Sequence, residues 1–235
     1  RRFGSSCLLL VILLGTTPVF AGTISGLIAL AGDFPTTAPA VDMSAAPDCA
    51  AMHDVAVPAE RLSVSGNRGV ANAFIYVSAG IDGSEYGPPD EPAVLDQRGC
   101  IYSPHVLGMM AGQPLRLLNS DGVMHNVNVK SRTNKGFNRV MPAARKRMTV
   151  PGRVFPHVEV MIPLRCDVHP WMSSYLGVLD HPFFAVSTET GTYEISNVPP
   201  GSYELTVWHE SLAGGSRAIQ IGDTTHRADF KLRAK

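Results

Sequence analysis

Seven consecutive residues, Cys166-Asp167-Val168-His169-Pro170-Trp171-Met172, carry a thiol, an imidazole and a thioether. Upstream, the stretch from Asn119 to Val127 contains a second imidazole, His125, followed by Asn126. One cysteine and two histidines in a trigonal set, with a weak axial methionine, form a blue-copper site. The soft sulfur atoms favour Cu(I), imidazoles suit both oxidation states, and a rigid set lets an electron move with little rearrangement. Structural zinc usually takes four Cys/His ligands from two paired motifs. Here one Cys-x-x-His stands without a second Cys-x-x-Cys, and a thioether is a poor zinc ligand. Copper is therefore the better match to these donors. Methionine is also common core filler, and His125, Cys166 and His169 would sustain a copper site without Met172.

The elements around these residues read as strands. Val158, Val160 and Ile162 alternate with Glu159 and Met161, which puts the Cys166 loop at a strand end. His125, Val127 and Val129 share one face of another strand, and Asn126 and Asn128 share the other. Val70 to Val77 is a largely apolar run suited to a buried strand. Tyr193/Ile195, Tyr203/Leu205/Val207, Ile219/Ile221 and Phe230/Leu232 follow at period two. Thr190-Gly191, Pro199-Pro200-Gly201 and Gly214-Gly215 mark turns between them. No long helical period appears, and 22 Gly with 18 Pro agree with many turns. The fold class expected is all-β, built of sandwiches or partly open barrels. Residues 31–60 are rich in Ala and Pro and read as a long surface loop. Pro163 is expected to interrupt the strand leading into Cys166.

The chain opens Arg1-Arg2, continues into an apolar run from Cys7 to Leu14, and reaches the small-x-small site Val19-Phe20-Ala21. That pattern is a secretory signal, with cleavage expected after Ala21 and export to the periplasm or extracellular space. The apolar run is too short for a confident membrane span. Beyond it remain Cys49, Cys100 and Cys166. Parity and an oxidising compartment make Cys49–Cys100 the expected disulfide, stapling the long loop and leaving Cys166 free. Closing such a loop contributes about 3–4 kcal/mol.

Cys-x-x-His-x-x-Met with Pro after the His resembles the ligand loop of the amicyanin-type cupredoxins, and Met124-His125-Asn126-Val127 resembles the segment supplying their first histidine. The resemblance covers roughly residues 100–180. It implies a cupredoxin-like Greek-key sandwich with one mononuclear type 1 copper. Its ligands would be His125, Cys166, His169 and Met172, with Asn126 holding the ligand loop by hydrogen bonds. It further implies outer-sphere electron transfer rather than enzymatic bond chemistry, with a dehydrogenase or a cytochrome as partner. Thr188 to Leu205, with Pro199-Pro200-Gly201 between two strands, resembles the carboxypeptidase regulatory-like (prealbumin-like) β-sandwich, and Gly22 to Gly26 resembles its opening strand. Together the two parts are similar to exported bacterial proteins often labelled methylamine-utilisation or plastocyanin-like. The division expected is a signal at 1–21, N-terminal strands and tethered loop at 22–99, a copper domain at 100–182 and a regulatory-like segment at 183–235.

Charge is uneven. Without Arg1 and Arg2, eighteen cations face twenty anions, a net −2. Eight cations and no acid lie between Lys130 and Arg153, leaving about −10 on the remainder. Such a stretch is a candidate docking surface for an acidic partner, or an ordinary solvated loop. His105, His181 and His209 are weaker metal candidates, expected to be structural. Trp208-His209-Glu210-Ser211-Leu212 lacks the second histidine of a zinc-protease helix, no Gly-x-Ser-x-Gly elbow occurs, and no aromatic-basic pattern suggests nucleic acid. Copper carriage, or a structural β-sandwich that binds no copper, are the competing functions.

Overall fold

The computed structural model describes residues 21–32 and 38–235. The signal expected at 1–21 therefore lies almost wholly outside the described residues. In chain order the strands are β1 (Gly22–Leu30), β2 (Phe74–Ala79), β3 (Ala93–Arg98), β4 (Ile101–Ser103), β5 (Val106–Met110), β6 (Leu115–Asn119), β7 (His125–Val129), β8 (Phe137–Met141), β9 (Arg147–Val150), β10 (Glu159–Arg165), β11 (Ser173–Leu179), β12 (Phe184–Val186), β13 (Thr192–Val198), β14 (Gly201–Trp208), β15 (Leu212–Ala213), β16 (Gly215–Ile221), β17 (Thr225–Arg227) and β18 (Phe230–Ala234). The α-helix described is one turn, Pro47–Ala50, which lies in the loop read as irregular and carries Cys49. The fold is all-β. No helix among the described residues is long and apolar enough to cross a membrane.

Two pairs of sheets form. The sheets β4-β3-β6-β9 and β5-β11-β10-β7-β8 enclose one core that includes Leu95, Leu117, Val127, Phe155, Ile162 and Leu176. The sheets β13-β1-β18-β15, with β17 also on β1, and β12-β2-β14-β16 enclose another, with Ile28, Ile75, Ile195, Leu205 and Leu232. Alternation along β13 and β14 delivers Tyr193, Ile195, Tyr203, Leu205 and Val207 to that second core. The division expected between residues 99 and 100 falls inside the β3–β4 hairpin. Because β3 pairs with β4 and runs parallel to β6, it belongs to the sandwich of residues 93–179. β1 and β2 pair instead with the C-terminal strands.

A third cluster, with Phe74, Val106, Met161 and Leu179 at its centre, joins the two sandwiches. Gly108 and Gly177 lie opposite each other on β5 and β11. A Cβ at Gly177 would lie 2.7 Å from Phe74 Cζ, and one at Gly108 would lie 2.4 Å from Phe184 Cε2. The paired glycines leave a flat area on which two rings of the other sandwich rest.

Three local expectations change. The strand expected from Val70 starts at Phe74, because Val70 makes only an isolated bridge to Val64. The alternation around Val160 breaks at Met161, whose φ of +62° accompanies a register shift between Glu159 and Ile162. Met161 and Ile162 are consequently both buried and Val158 is exposed. Pro163 does not interrupt β10. It pairs with Tyr175, and its carbonyl accepts from Lys130 N, 3.0 Å away. Its missing N–H faces the β7 side, where the ladder is ending, so one reciprocal bond is all that is lost.

Candidate metal centre

Strand register brings the two donor segments together. β7 runs antiparallel to β10, with Val129 opposite Leu164 and Asn128 opposite Arg165. The start of β7 therefore extends past the end of β10, alongside the residues that follow Arg165. β11 returns with Ser173 opposite Arg165, so residues 166–172 must turn within a single loop. Met172 N donates to His169 O at 2.9 Å, and Cys166 N donates to Met172 O at 3.2 Å. His169 N points at Cys166 Sγ, 3.4 Å away.

Donor atoms of His125, Cys166 and His169 lie within 4.8 Å of one another, and all three residues are buried. The Nδ1 atoms of His125 and His169 are 3.0 Å apart, and Cys166 Sγ lies 3.9 Å from His169 Nδ1. His125 Nε2 meets Asp121 Oδ2 at 2.8 Å. A carboxylate there accepts the Nε2–H, the arrangement that directs Nδ1 towards a metal. Burial, reinforced by the neighbouring His125, lowers the His169 pKa. Two imidazoles and a thiol converging in a buried space fit a copper ion by donor type. Met172 is fully buried in the same core, and its backbone closes the loop as described.

Asn126 ties the two segments. Its Oδ1 accepts from Asp167 N at 2.8 Å and from Cys166 Sγ at 3.3 Å. The Asp167 carboxylate accepts in turn from the carboxamides of Asn126, Asn128 and Asn138. Bonds from Asn128 and Asn138 hold its pKa below the ordinary value. The asparagine face of β7 is thus covered by the ligand loop, and all five β7 residues are buried. Tyr102, fully buried, donates its hydroxyl to Asn126 O.

Asp121, Asn128, Asn138 and Asp167 were given no role by the sequence reading. The signal for Asp121 is its place four residues before His125 in the turn Asn119-Ser120-Asp121-Gly122. Asn119 shapes that turn by donating to Val123 O and Met141 O. Asp121 also accepts from Gly99 N and Cys100 N, at 2.7 and 2.8 Å.

The disulfide Cys49–Cys100 is formed and Cys166 is free. Trp171 Nε1 donates to Cys100 O at 3.0 Å while its ring lies 5.1 Å from the His169 ring. The three weaker metal candidates have protein partners. His105 bonds Glu210 Oε1 at 2.5 Å. His181 bonds Val77 O, and His209 Nδ1 accepts from Ser211 N and Leu212 N. No group of three metal-binding side chains among the described residues includes any of them. His53 is half-buried, with Nε2 at 2.8 Å from Gly99 O.

Comparison with known proteins gives limited matches. Residues 168–227 match the family model described as polysaccharide lyase family 4, domain II. It spans much of the segment likened above to the regulatory-like sandwich. No curated protein matches the chain. Among solved structures, the chain is similar to a copper-containing nitrite reductase from Thermus scotoductus SA-01, at 17% identity and a TM-score of 0.34 over 43% of this chain and 27% of that one. It is similar to a purple cupredoxin from Nitrosopumilus maritimus, at 22% identity and a TM-score of 0.30 over 37% of this chain and 98% of that one. It is also similar to a Cu(I) form of an amicyanin variant, at 18% identity and a TM-score of 0.33 over 46% of this chain and 98% of that one.

Proposed function

We propose that this chain is an exported mononuclear copper protein that passes single electrons between redox partners. The convergence of His125, Cys166 and His169 carries the reading, with the His125 tautomer fixed by Asp121. Copper bound there would supply a one-electron couple, Cu(II)/Cu(I). His125 and His169 would hold it through Nδ1, Cys166 through its thiolate, and Met172 would supply the thioether. Asn126, Asp167 and Tyr102 keep the two donor segments in one arrangement, which limits the rearrangement that accompanies a change of charge. No bond in a substrate is made or broken, so the protein acts as a relay and not an enzyme.

Burial of all three donors favours retention of the ion over carriage to an acceptor. The disulfide agrees with export. The partner would be an acidic surface on a periplasmic dehydrogenase or cytochrome, docking on residues 130–153. The eight basic residues of that stretch are exposed, and Lys146 Nζ donates to Asp121 O at 2.8 Å, so the stretch reaches the residue that orients His125. The test is a visible spectrum during Cu(II) titration of the chain from Ala21 onward, beside Cys166→Ala. One intense thiolate-to-copper band saturating at one equivalent and lost in the variant is expected. No band and no reversible copper binding in the wild type would overturn the proposal and leave a structural β-sandwich.

A further inference from the structure

The disulfide is built against a candidate metal ligand. Cys49 Sγ lies 3.4 Å from His169 Nε2. The two disulfide sulfurs and a His169 ring nitrogen lie within 4.8 Å of one another, and all three residues are buried. Cys100 Sγ is also within 4.8 Å of donor atoms of Asp121 and His125. His169 thus turns its two ring nitrogens to two different groups, Nδ1 to His125 and Cys166, and Nε2 to Cys49.

We propose that Cys49, Cys100 and His169 form a second site, gated by reduction, for a soft monovalent cation of the Cu(I) type. While the disulfide is intact its sulfurs are poor donors, because the thiolate is the metal-binding form of cysteine. A dithiol donor opens the site. It supplies two electrons and two protons, the Cys49–Cys100 bond breaks, two thiols form, and the donor leaves as its own disulfide. On binding, Cu(I) displaces to solvent the two thiol protons and, where Nδ1 already holds a metal, the Nε2 proton of His169, and takes the two thiolate sulfurs together with His169 Nε2, the ring then bridging the two sites as an imidazolate. Two thiolates and one imidazole suit a soft ion and give no advantage to a hard one. Trp171 roofs the site, with its indole N–H on Cys100 O and its ring beside His169. The proposal shares His169 with the first donor set and does not rest on electron transfer there.

The test is anaerobic Cu(I) titration against a chromophoric Cu(I) chelator. The protein is used oxidised, and again after reduction by a phosphine that is then removed by desalting. The reduced wild type is expected to take up one equivalent more than the oxidised form. Cys49→Ser/Cys100→Ser loses that extra equivalent and keeps the first site. Cys166→Ser keeps the extra equivalent and shows no thiolate-to-Cu(II) band, which separates this proposal from the fate of the first site. Equal uptake by oxidised and reduced wild type overturns the proposal. So does a reduced protein that loses its near-ultraviolet circular dichroism and does not regain it on adding Cu(I).

Discussion

Asp121 Oδ2 accepts the Nε2 proton of His125 across 2.8 Å, four residues apart and wholly inside the protein. The same carboxylate takes the backbone N–H groups of Gly99 and Cys100. One side chain thereby orients a candidate ligand and anchors the turn that bears the disulfide.

Removing that carboxylate should loosen His125. Asp121→Ala is expected to weaken copper binding by about 10- to 100-fold, the usual cost of losing a partner that orients a ligand. Asp121→Asn, which keeps an acceptor oxygen, should recover part of it. Competition titration of both variants checks this. Unchanged affinity in Asp121→Ala would assign Asp121 to the fold alone.

His105 links the sandwiches through Glu210, with Glu60 Oε2 at 3.5 Å on its other nitrogen. Burial opposes the charged ring, but the two carboxylates outweigh it and raise its pKa from 6.5 to about 9. A folded pKa above the unfolded one adds stability that is complete below about pH 6.5 and lost as pH rises through about 9. The size is on the order of 3 kcal/mol. Denaturant midpoints between pH 6 and 10 should fall over that window, and Glu210→Gln should flatten the profile.

Gly177→Ala places a methyl group against Phe74 Cζ and Met161 Cε. Backbone and ring must shift, and overpacking of this kind costs about 1–3 kcal/mol. Chemical denaturation measures the loss. The copper band should keep its position, since the joint between sandwiches does not contact the donor set.

Arg145 and Arg147 are exposed and flank Lys146, which meets Asp121 O. Reversing both to Glu should slow reduction by an acidic partner at low salt, with the difference shrinking as salt screens the charges. Stopped-flow rates over a range of ionic strength check it, and equal rates at low salt remove the docking surface.

Much of the candidate site was legible because metal binding favours particular residue types. Cysteine, histidine and methionine at short spacing have few other reasons to occur together, so Cys166, His169, Met172 and His125 stood out. Asn126 entered through the family resemblance, and the Cys49–Cys100 pairing followed from parity. The partners Asp121, Asn128, Asn138 and Asp167 were not legible, because Asn and Asp are also ordinary turn and surface residues. Only their hydrogen bonds set them apart.

The sequence alone determined the all-β class, the strand faces of β13 and β14, and the chemical character of the donors. These follow from local periodicity and composition, which each segment carries by itself. The tertiary structure decided what depends on pairing between distant segments. Register between β7 and β10 set His125 beside the Cys166 loop. β3 joined a sandwich other than that of β1 and β2 because of its partners, not its residues. The contact of Cys49 with His169 spans 120 positions, and no local pattern in the chain encodes a contact of that range.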